Sequence, residues 1–127
     1  MQAKGTPTIL VVEDEVDIAS NLEMLFTMEG YAIRLAYNGI EALNVLKSAT
    51  KIDIIITDIM MPIMNGYELM DAICENDLFK KIPLILTSAG YLDRTRLKPN
   101  CYQLFIPKPY NLDAIFDAVT SIIPLPN

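Results

Sequence analysis

The sequence predicts an α/β fold in which helices cover both faces of a parallel β-sheet. Short β-branched runs alternate with segments of helical periodicity along the chain. Strands that alternate with helices pair in parallel through right-handed crossovers. The run Ile52–Thr57 is the most densely β-branched of these strands, which is typical of a strand covered on both faces.

Three strands and two helices are predicted in the first half of the chain. Thr8–Val12 is a short β-branched strand, and Asp17–Glu29 follows with apolar side chains on one helical face. Tyr31–Tyr37 alternates as a strand does. Asn38 and the glycine after it turn the chain into a second helix, which leads to the strand Ile52–Thr57.

The second half of the chain continues the alternation. A third helix follows Gly66, and strands are predicted at Leu84–Thr87 and Gln103–Ile106. Between these strands, Tyr91–Asn100 is polar and is interrupted by a proline, so it is the weakest of the predicted helices. The last helix is capped by Asn111 and has apolar residues at helical spacing. Five strands and five helices are therefore expected.

Length and composition favour one domain without nucleic acid or membrane partners. We expect residues 1–127 to form a single domain, with its core at about residues 7–123. The net charge of −6 repels nucleic acid phosphates, which argues against direct DNA or RNA binding. No apolar run reaches the length of a membrane span, and the N-terminus lacks a signal peptide pattern. A soluble, cytoplasmic protein is expected.

The histidine and cysteine counts exclude several kinds of chemistry. The chain has no histidine, which excludes Ser-His-Asp catalysis, Cys-His catalysis and an ordinary zinc site. Its two cysteines, Cys74 and Cys101, do not form a CxxC motif. A disulfide would require the fold to bring them together, and no sequence pattern requires one. We therefore expect two reduced thiols in a cytoplasmic protein.

Polar residues suited to chemistry follow four of the five predicted strands. In an open parallel sheet, sites form outside the carboxyl ends of the strands. Glu13 and Asp14 follow the first strand, and Asp58 follows the third. Ser88 follows the fourth strand, and Lys108 follows the fifth. Each residue alone has a plainer explanation as a helix cap, a turn former or a solvated charge. Their shared position at one edge of the sheet instead favours a common site.

The chemistry of these side chains favours a magnesium site with a carboxylate nucleophile. Mg²⁺ prefers oxygen ligands, and Mn²⁺ is the alternative ion. Glu13, Asp14 and Asp58 contribute −3 and Lys108 contributes +1, so one divalent cation brings the site to neutrality. Asp58 can then attack a phosphoryl group and form an acyl phosphate, which water hydrolyses. Such a short-lived group suits a signal that must decay.

Four motifs in this order resemble the receiver domain of two-component response regulators. They are Glu13-Asp14 after the first strand, the run from Asp58 to Gly66, the run from Pro83 to Ala89, and Lys108-Pro109. The resemblance is to the chemotaxis-regulator type and covers about residues 7–123. It implies a flavodoxin-like fold with strand order 2-1-3-4-5.

The resemblance also implies a role for each residue of the site. Asp58 would accept the phosphoryl group, and Lys108, next to a cis peptide bond, would pair with the phosphoryl oxygens. Mg²⁺ would be bound by Asp58, by Asp14 directly and by Glu13 through water. The backbone carbonyl of Met60 would be a further ligand. The phosphoryl donor would be a histidine kinase or a histidine phosphotransfer protein.

A switch in the second half of the chain is implied in the same way. Ser88 would bond the phosphoryl group, with Thr87 as the competing hydroxyl one position earlier. Phe105 would be the switch aromatic and would turn inward when Ser88 moves. A downstream effector would then bind the changed face of helix four, strand five and helix five. The domain would catalyse only its own phosphorylation and dephosphorylation and would not be an enzyme for other substrates.

The sequence departs from the family pattern between Ser88 and Lys108. This interval is shorter than the family shows, Pro99 lies within the expected fourth helix, and the usual Gly-Ala turn before the fifth strand is missing. We therefore expect a short or irregular fourth helix. Our hypothesis is that residues 92–99 form at most a short, mobile helical turn at rest and that phosphorylation orders them.

Three alternatives remain open at the level of the sequence. An Mg²⁺-dependent phosphatase of the haloacid dehalogenase type would have a second Asp two residues after its nucleophile, where this chain has Met60. A flavodoxin-like or nucleotide-binding module would have a Gly-, Ser- or Thr-rich phosphate loop after the first strand, where this chain is acidic. The third alternative is a receiver-like platform that binds proteins without phosphorylation.

Overall fold

The computed structural model describes residues 5–48, 50–90 and 92–125, which contain a five-stranded parallel sheet. The strands are, in chain order, β1 (Thr8–Val12), β2 (Ala32–Ala36), β3 (Ile54–Asp58), β4 (Leu84–Ser88) and β5 (Leu104–Pro107). Their order across the sheet is β2-β1-β3-β4-β5, and every neighbouring pair is parallel. The predicted α/β fold and its strand order are confirmed.

The three central strands are buried along their whole length. β1, β3 and β4 each have a strand on either side and helices over both faces. β2 and β5 form the edges of the sheet and are partly exposed. The strand predicted at Ile52–Thr57 begins two residues later in the structure, at Ile54. Asp53 lies outside it, and its carboxylate accepts a hydrogen bond from the backbone N–H of Thr8 (2.8 Å).

Four α-helices flank the sheet. They are α1 (Val16–Met28), α2 (Gly39–Lys47), α3 (Gly66–Cys74) and α4 (Leu112–Ile122). α2 and α3 pack on one face through side chains such as Leu46 and Met70, and α1 and α4 pack on the other through Phe26 and Val119. Burial of a side chain of this size stabilises the fold by about 1.5–3 kcal/mol. Among the described residues, no helix combines the length and the hydropathy of a membrane span.

The segment between β4 and β5 has no α-helix within its described residues, although the alternation predicts a fifth helix. It contains two 3₁₀ turns, Arg94–Arg96 and Pro99–Cys101. Proline has no backbone N–H and disfavours a helical conformation at the residue before it, and Lys98 is accordingly extended. The expectation of a short or irregular fourth helix is confirmed, and its mobility stays a prediction. Tyr91 lies outside the described residues.

The two cysteines are bonded to each other, so the expectation of two reduced thiols is wrong. The Cα atoms of Cys74 and Cys101 lie 5.5 Å apart, and their sulfur atoms form a disulfide. Cys74 ends α3, and Cys101 ends the second 3₁₀ turn. The two turns bring the chain back to the end of α3. The cysteines are 27 residues apart in the sequence, so their spacing alone does not predict this contact.

Candidate functional site

The predicted acidic residues meet at the carboxyl edge of the sheet. Glu13 and Asp14 follow β1, and Asp58 is the last residue of β3. One carboxylate oxygen from each of the three lies within 4.8 Å of the others. Glu13 and Asp58 are buried, whereas Asp14 is partly exposed. The carboxylates that the sequence singles out therefore form one cluster.

Lys108 joins this cluster from the end of β5. Its Nζ lies 2.6 Å from Glu13 Oε1 and 3.2 Å from Asp58 Oδ2. Only 9% of the lysine side chain is exposed, and the two carboxylate side chains are 3% and 6% exposed. The Lys108 backbone N–H donates to the Ser88 carbonyl (2.9 Å), and the peptide bond to Pro109 is cis, as predicted. The ammonium group is thus fixed between two buried acids.

Burial and charge act against each other in this cluster. Burial raises the pKa of Asp58 and of Glu13, and the hydrogen bond and charge of Lys108 lower these pKa values by less. Burial lowers the pKa of Lys108, but the hydrogen bond to Glu13 and the charges of both acids outweigh it, so the lysine pKa is raised. The cluster contains three carboxylates and one ammonium group, which pairs with Glu13 and Asp58, so its net charge is −2 (−3 + 1) when all four groups are ionised.

This charge and these ligand atoms fit a divalent cation such as Mg²⁺. The converging ligand atoms are all carboxylate oxygens, which Mg²⁺ prefers, and no histidine or cysteine of the described chain belongs to the cluster. A buried charge without a partner is costly, so a dication would stabilise an arrangement that has an excess charge of −2. The donor set and the charge therefore agree with the ion that the sequence predicts.

Gly66 fixes the loop that follows Asp58. Its backbone N–H donates to the Ile59 carbonyl (2.8 Å). A Cβ at this position would lie 2.6 Å from the Asp58 carbonyl oxygen and 2.6 Å from Ile59 Cα, so the backbone would have to shift. Asn65 then caps α3 through a reciprocal capping box with Glu68. The glycine is therefore required by a close backbone approach directly beside Asp58.

Met60 contacts Asp58 through a different backbone group from the one that the resemblance implies. Its N–H donates to Asp58 Oδ1 (3.3 Å), which helps to orient the carboxylate. The Met60 side chain is 58% exposed and does not contribute to the core. The role of its carbonyl as a metal ligand stays a prediction.

Ser88 and Thr87 are both buried at the end of β4. The Ser88 hydroxyl oxygen accepts a hydrogen bond from the Gly90 N–H (3.4 Å), and Thr87 pairs with Asp58 in the register of β3 and β4. Alternate residues of a strand share a face, so Ser88 lies on the face of α2 and α3, where Phe105 also packs. Thr87 lies on the opposite face. The roles of Ser88 and Phe105 in a switch stay predictions.

A cleft of about 460 Å³ opens beside Lys108, between α1 and the residues that follow β5. Its lining residues are Glu15, Ile18, Asn21, Leu22, Ala89, Lys108, Pro109, Tyr110 and Leu112. Burial raises the pKa of Tyr110 to about 12, so this hydroxyl stays neutral beside the charged cluster. The sequence analysis did not identify Tyr110 as a residue of the site. Its position directly after Lys108-Pro109 is the one sequence feature that places it near the site.

The chain matches known proteins over most of its length. A family profile described as "Response regulator receiver domain" matches residues 9–120. "Probable transcriptional regulator ycf29" of Pyropia yezoensis is 31% identical over 91% of this chain and 52% of its own length. "Sporulation initiation phosphotransferase F" of Bacillus subtilis is 31% identical over 92% of this chain and 94% of its own length.

A solved structure shares both sequence and fold with this chain. The crystal structure of response regulator protein TrrA from Thermotoga maritima, in complex with Mg(2+)-BeF, is 32% identical with a TM-score of 0.81. The similarity covers 92% of this chain and 99% of that one. The chain spans about half the length of the Pyropia yezoensis regulator and nearly all of the Bacillus subtilis protein. Because the motifs, the sheet and the matches agree, we conclude that the chain belongs to the response regulator receiver domains of two-component signalling systems.

Proposed function

We propose that this receiver domain accepts a phosphoryl group on Asp58 and in response changes a protein-binding surface. The observation that carries the proposal is the position of the Asp58 carboxylate. It is buried, 3.2 Å from Lys108 Nζ, and it clusters with the carboxylates of Glu13 and Asp14. Such a carboxylate has a cation to receive phosphoryl oxygens and two acids that can hold a metal. An Asp that only formed a turn would need neither.

Glu13, Asp14 and Asp58 would bind Mg²⁺, or Mn²⁺ as the alternative ion, with the Met60 carbonyl as a further ligand. The oxygen-only cluster and its excess negative charge support this assignment. The similar Thermotoga maritima regulator, whose crystal structure is a complex with Mg(2+)-BeF, supports it as well. When bound, the ion supplies positive charge for the phosphoryl oxygens.

In the proposed reaction, an Asp58 carboxylate oxygen attacks the phosphorus atom of a phosphohistidine. The O–P bond forms as the P–N bond breaks, and the donor imidazole leaves with the bonding electron pair and takes up a proton. Lys108, which is already 3.2 Å from Asp58 Oδ2, then pairs with a phosphoryl oxygen of the product. Water later hydrolyses the acyl phosphate, which restores the carboxylate and releases inorganic phosphate.

The donor histidine has to come from outside these 127 residues, because they contain no histidine. A histidine kinase or a histidine phosphotransfer protein supplies such a group. The cleft of about 460 Å³ beside Lys108 is a candidate place for a side chain of this partner. We propose that residues 1–127 act as one receiver domain on their own phosphoryl group and convert no other substrate.

The output would be protein binding at the face of the 3₁₀ turns, β5 and α4. Ser88 and Phe105 lie on the same face of the sheet, which supports a switch that couples the two side chains. We propose a cytoplasmic location for the domain. The net charge of −6 makes direct contact with nucleic acid unfavourable.

Intact mass spectrometry tests the proposal. Incubation with Mg²⁺ and acetyl phosphate should add one phosphoryl group, and mild base should remove it because acyl phosphates are labile. Asp58→Asn should show no adduct. Asp117→Asn, the same change at an exposed position of α4, should show the wild-type adduct. A wild-type protein without an adduct would instead favour a platform that binds proteins without phosphorylation.

A further inference from the structure

The disulfide joins α3 to the part of the chain that leads into β5. The bond joins the last residue of α3, Cys74, to the last residue of the second 3₁₀ turn, Cys101. β5 begins at Leu104, three residues after Cys101, and it carries Phe105 and leads to Lys108. The chain between the ends of β4 and β5 is therefore tied to α3 by a covalent bond.

Three noncovalent contacts hold the same part of the chain against α3. The Asp93 N–H donates to the Tyr67 hydroxyl (2.8 Å), and the Arg96 guanidinium lies 4.5 Å from the centroid of the Tyr67 ring. Lys98 Nζ lies 2.8 Å from Asp71 Oδ1. Arg96 and Lys98 are exposed to solvent, where cation–π contacts and ion pairs contribute little. Among the described contacts, the disulfide is the dominant tie.

This part of the chain has little structure of its own that could replace the tie. Between residues 92 and 101, the backbone hydrogen bonds are local turn bonds donated by the N–H groups of Arg96, Leu97 and Cys101. Leu92 and Leu97 are only partly buried against the core. Local hydrogen bonds and few buried contacts are the features of a segment with low stability against opening.

We propose that Cys74–Cys101 is a redox modification site that controls the freedom of residues 92–101, called here the β4–β5 segment. The reaction is thiol–disulfide exchange with a dithiol reductant. One thiolate of the reductant attacks a cysteine sulfur, and the S–S bond breaks to give one protein thiol and a mixed disulfide. The second thiol of the reductant then attacks the reductant's sulfur in the mixed disulfide and releases the other protein thiol. The protein gains two electrons and two protons as two thiols, and the reductant becomes a disulfide.

The surroundings of the two cysteines suit this reaction. Both residues are partly exposed, so a reductant can reach the bond. In compartments that glutathione and thioredoxin keep reduced, protein disulfides are usually transient and redox-sensing. The oxidised form holds the β4–β5 segment on α3, and reduction leaves only noncovalent contacts to do so, namely the hydrogen bond from Asp93 to Tyr67, two exposed contacts of Arg96 and Lys98, and the partial packing of Leu92 and Leu97.

For its effect on signalling, the inference rests on the proposed function of Asp58. The β4–β5 segment lies between Ser88 and Lys108, the two residues that would contact the phosphoryl group. A segment tied to α3 cannot rearrange freely when Asp58 is phosphorylated, whereas a released segment can. The response of this surface to phosphorylation should therefore be larger in the reduced protein.

Hydrogen exchange of the full chain tests the redox site without any phosphodonor. Oxidised protein is compared with protein treated with dithiothreitol, and thiols are counted by alkylation and mass. Reduction should yield two thiols and speed exchange of the β4–β5 segment by about ten-fold or more at short labelling times, before amides of β1 that exchange only through global unfolding become labelled. Cys74→Ser combined with Cys101→Ser should match the reduced protein with or without reductant. Unchanged exchange in fully reduced protein, or a disulfide that resists dithiothreitol in the folded state, would overturn the proposal.

Beryllofluoride with Mg²⁺ then tests the link to Asp58. Protection of the β4–β5 segment should rise more in the reduced protein than in the oxidised protein, and an equal rise would overturn the link. Asp58→Asn should abolish this rise but keep the effect of reduction alone. Intact mass after acetyl phosphate treatment reports phosphorylation separately. Failure of the redox control and failure of the proposed function therefore give different results.

Discussion

The Asp58 carboxylate is buried beside a lysine that it shares with a second acid, so its charge destabilises the metal-free protein. Burial raises its pKa, and Lys108 at 3.2 Å offsets this only in part. Glu13 is buried in the same cluster and shares the same lysine. Perturbed groups of this kind gather at functional sites, where stability is given up for reactivity.

Removal of this charge should stabilise the metal-free protein. We expect Asp58→Asn to raise the free energy of unfolding by about 1 kcal/mol when a chelator is present. A carboxyl whose pKa is raised by folding destabilises the native state above that pKa. The gain should therefore be present near neutral pH and vanish below the ordinary pKa of 3.8.

Urea unfolding near neutral pH and below the ordinary pKa of the carboxyl measures this gain in the free energy of unfolding. Asp117→Asn is the control and should change the free energy of unfolding by less than about 0.5 kcal/mol. A less stable Asp58→Asn variant near neutral pH would mean that Lys108 compensates the buried charge completely.

Metal binding should depend on the acidic residues and not on the lysine. Glu13→Gln with Asp14→Asn removes two carboxylates, so the affinity for Mg²⁺ should fall about ten-fold or more, which corresponds to about 1.4 kcal/mol. Lys108→Ala removes no ligand and should not weaken binding. Calorimetric titration measures both variants. Unchanged affinity in the double variant would show that these acids only cap α1.

At the scale of the elements, local sequence pattern predicts most boundaries within two residues. β1 has the predicted bounds, and β4 is longer by one residue, Ser88. These elements carry short-range signals, such as β-branched runs and asparagine caps. The part of the chain between β4 and β5 depends instead on Tyr67 and Cys74, which lie 26 and 27 residues from their partners. No local pattern contains that information, so the disulfide could not be predicted.

The loop between β3 and α3 contains a strained residue. Ile63 has a φ of 70°, a left-handed conformation that β-branched residues rarely adopt, and its side chain is 78% exposed. Asn tolerates this conformation, so Ile63→Asn should stabilise the protein by about 1 kcal/mol. Ile63→Val keeps the β-branch and should give no gain. Equal thermal midpoints for the two variants would argue against strain at this position.

At the scale of the whole molecule, one rule of parallel sheets accounts for most of the site. Residues that follow the strands meet at one edge, and this rule places Glu13, Asp14, Asp58 and Lys108 together. The sequence does not show which acids the lysine bonds, nor the cleft beside Tyr110. These features depend on side-chain conformation and burial, which only the packed structure defines.

The disulfide should contribute to the stability of the whole domain. Cys74 and Cys101 are 27 residues apart in the sequence. A cross-link with this separation lowers the conformational entropy of the unfolded chain and thereby stabilises the native state by about 3 kcal/mol. Urea unfolding of oxidised and reduced protein should differ by roughly this amount. The double serine variant should match the reduced protein. A difference below about 1 kcal/mol would show that the bond restrains the segment but not the fold.

We expect Asp58 alone to take up the phosphoryl group, and mapping the modified residue tests this expectation. Borohydride reduces an aspartyl phosphate to homoserine, which marks the residue permanently for peptide mass spectrometry. After treatment with acetyl phosphate and Mg²⁺, homoserine should appear at position 58 and at no other position, and omission of Mg²⁺ should abolish it. A reduced carboxyl at Glu13 or Asp14, or a phosphoryl group that survives borohydride, would contradict the account.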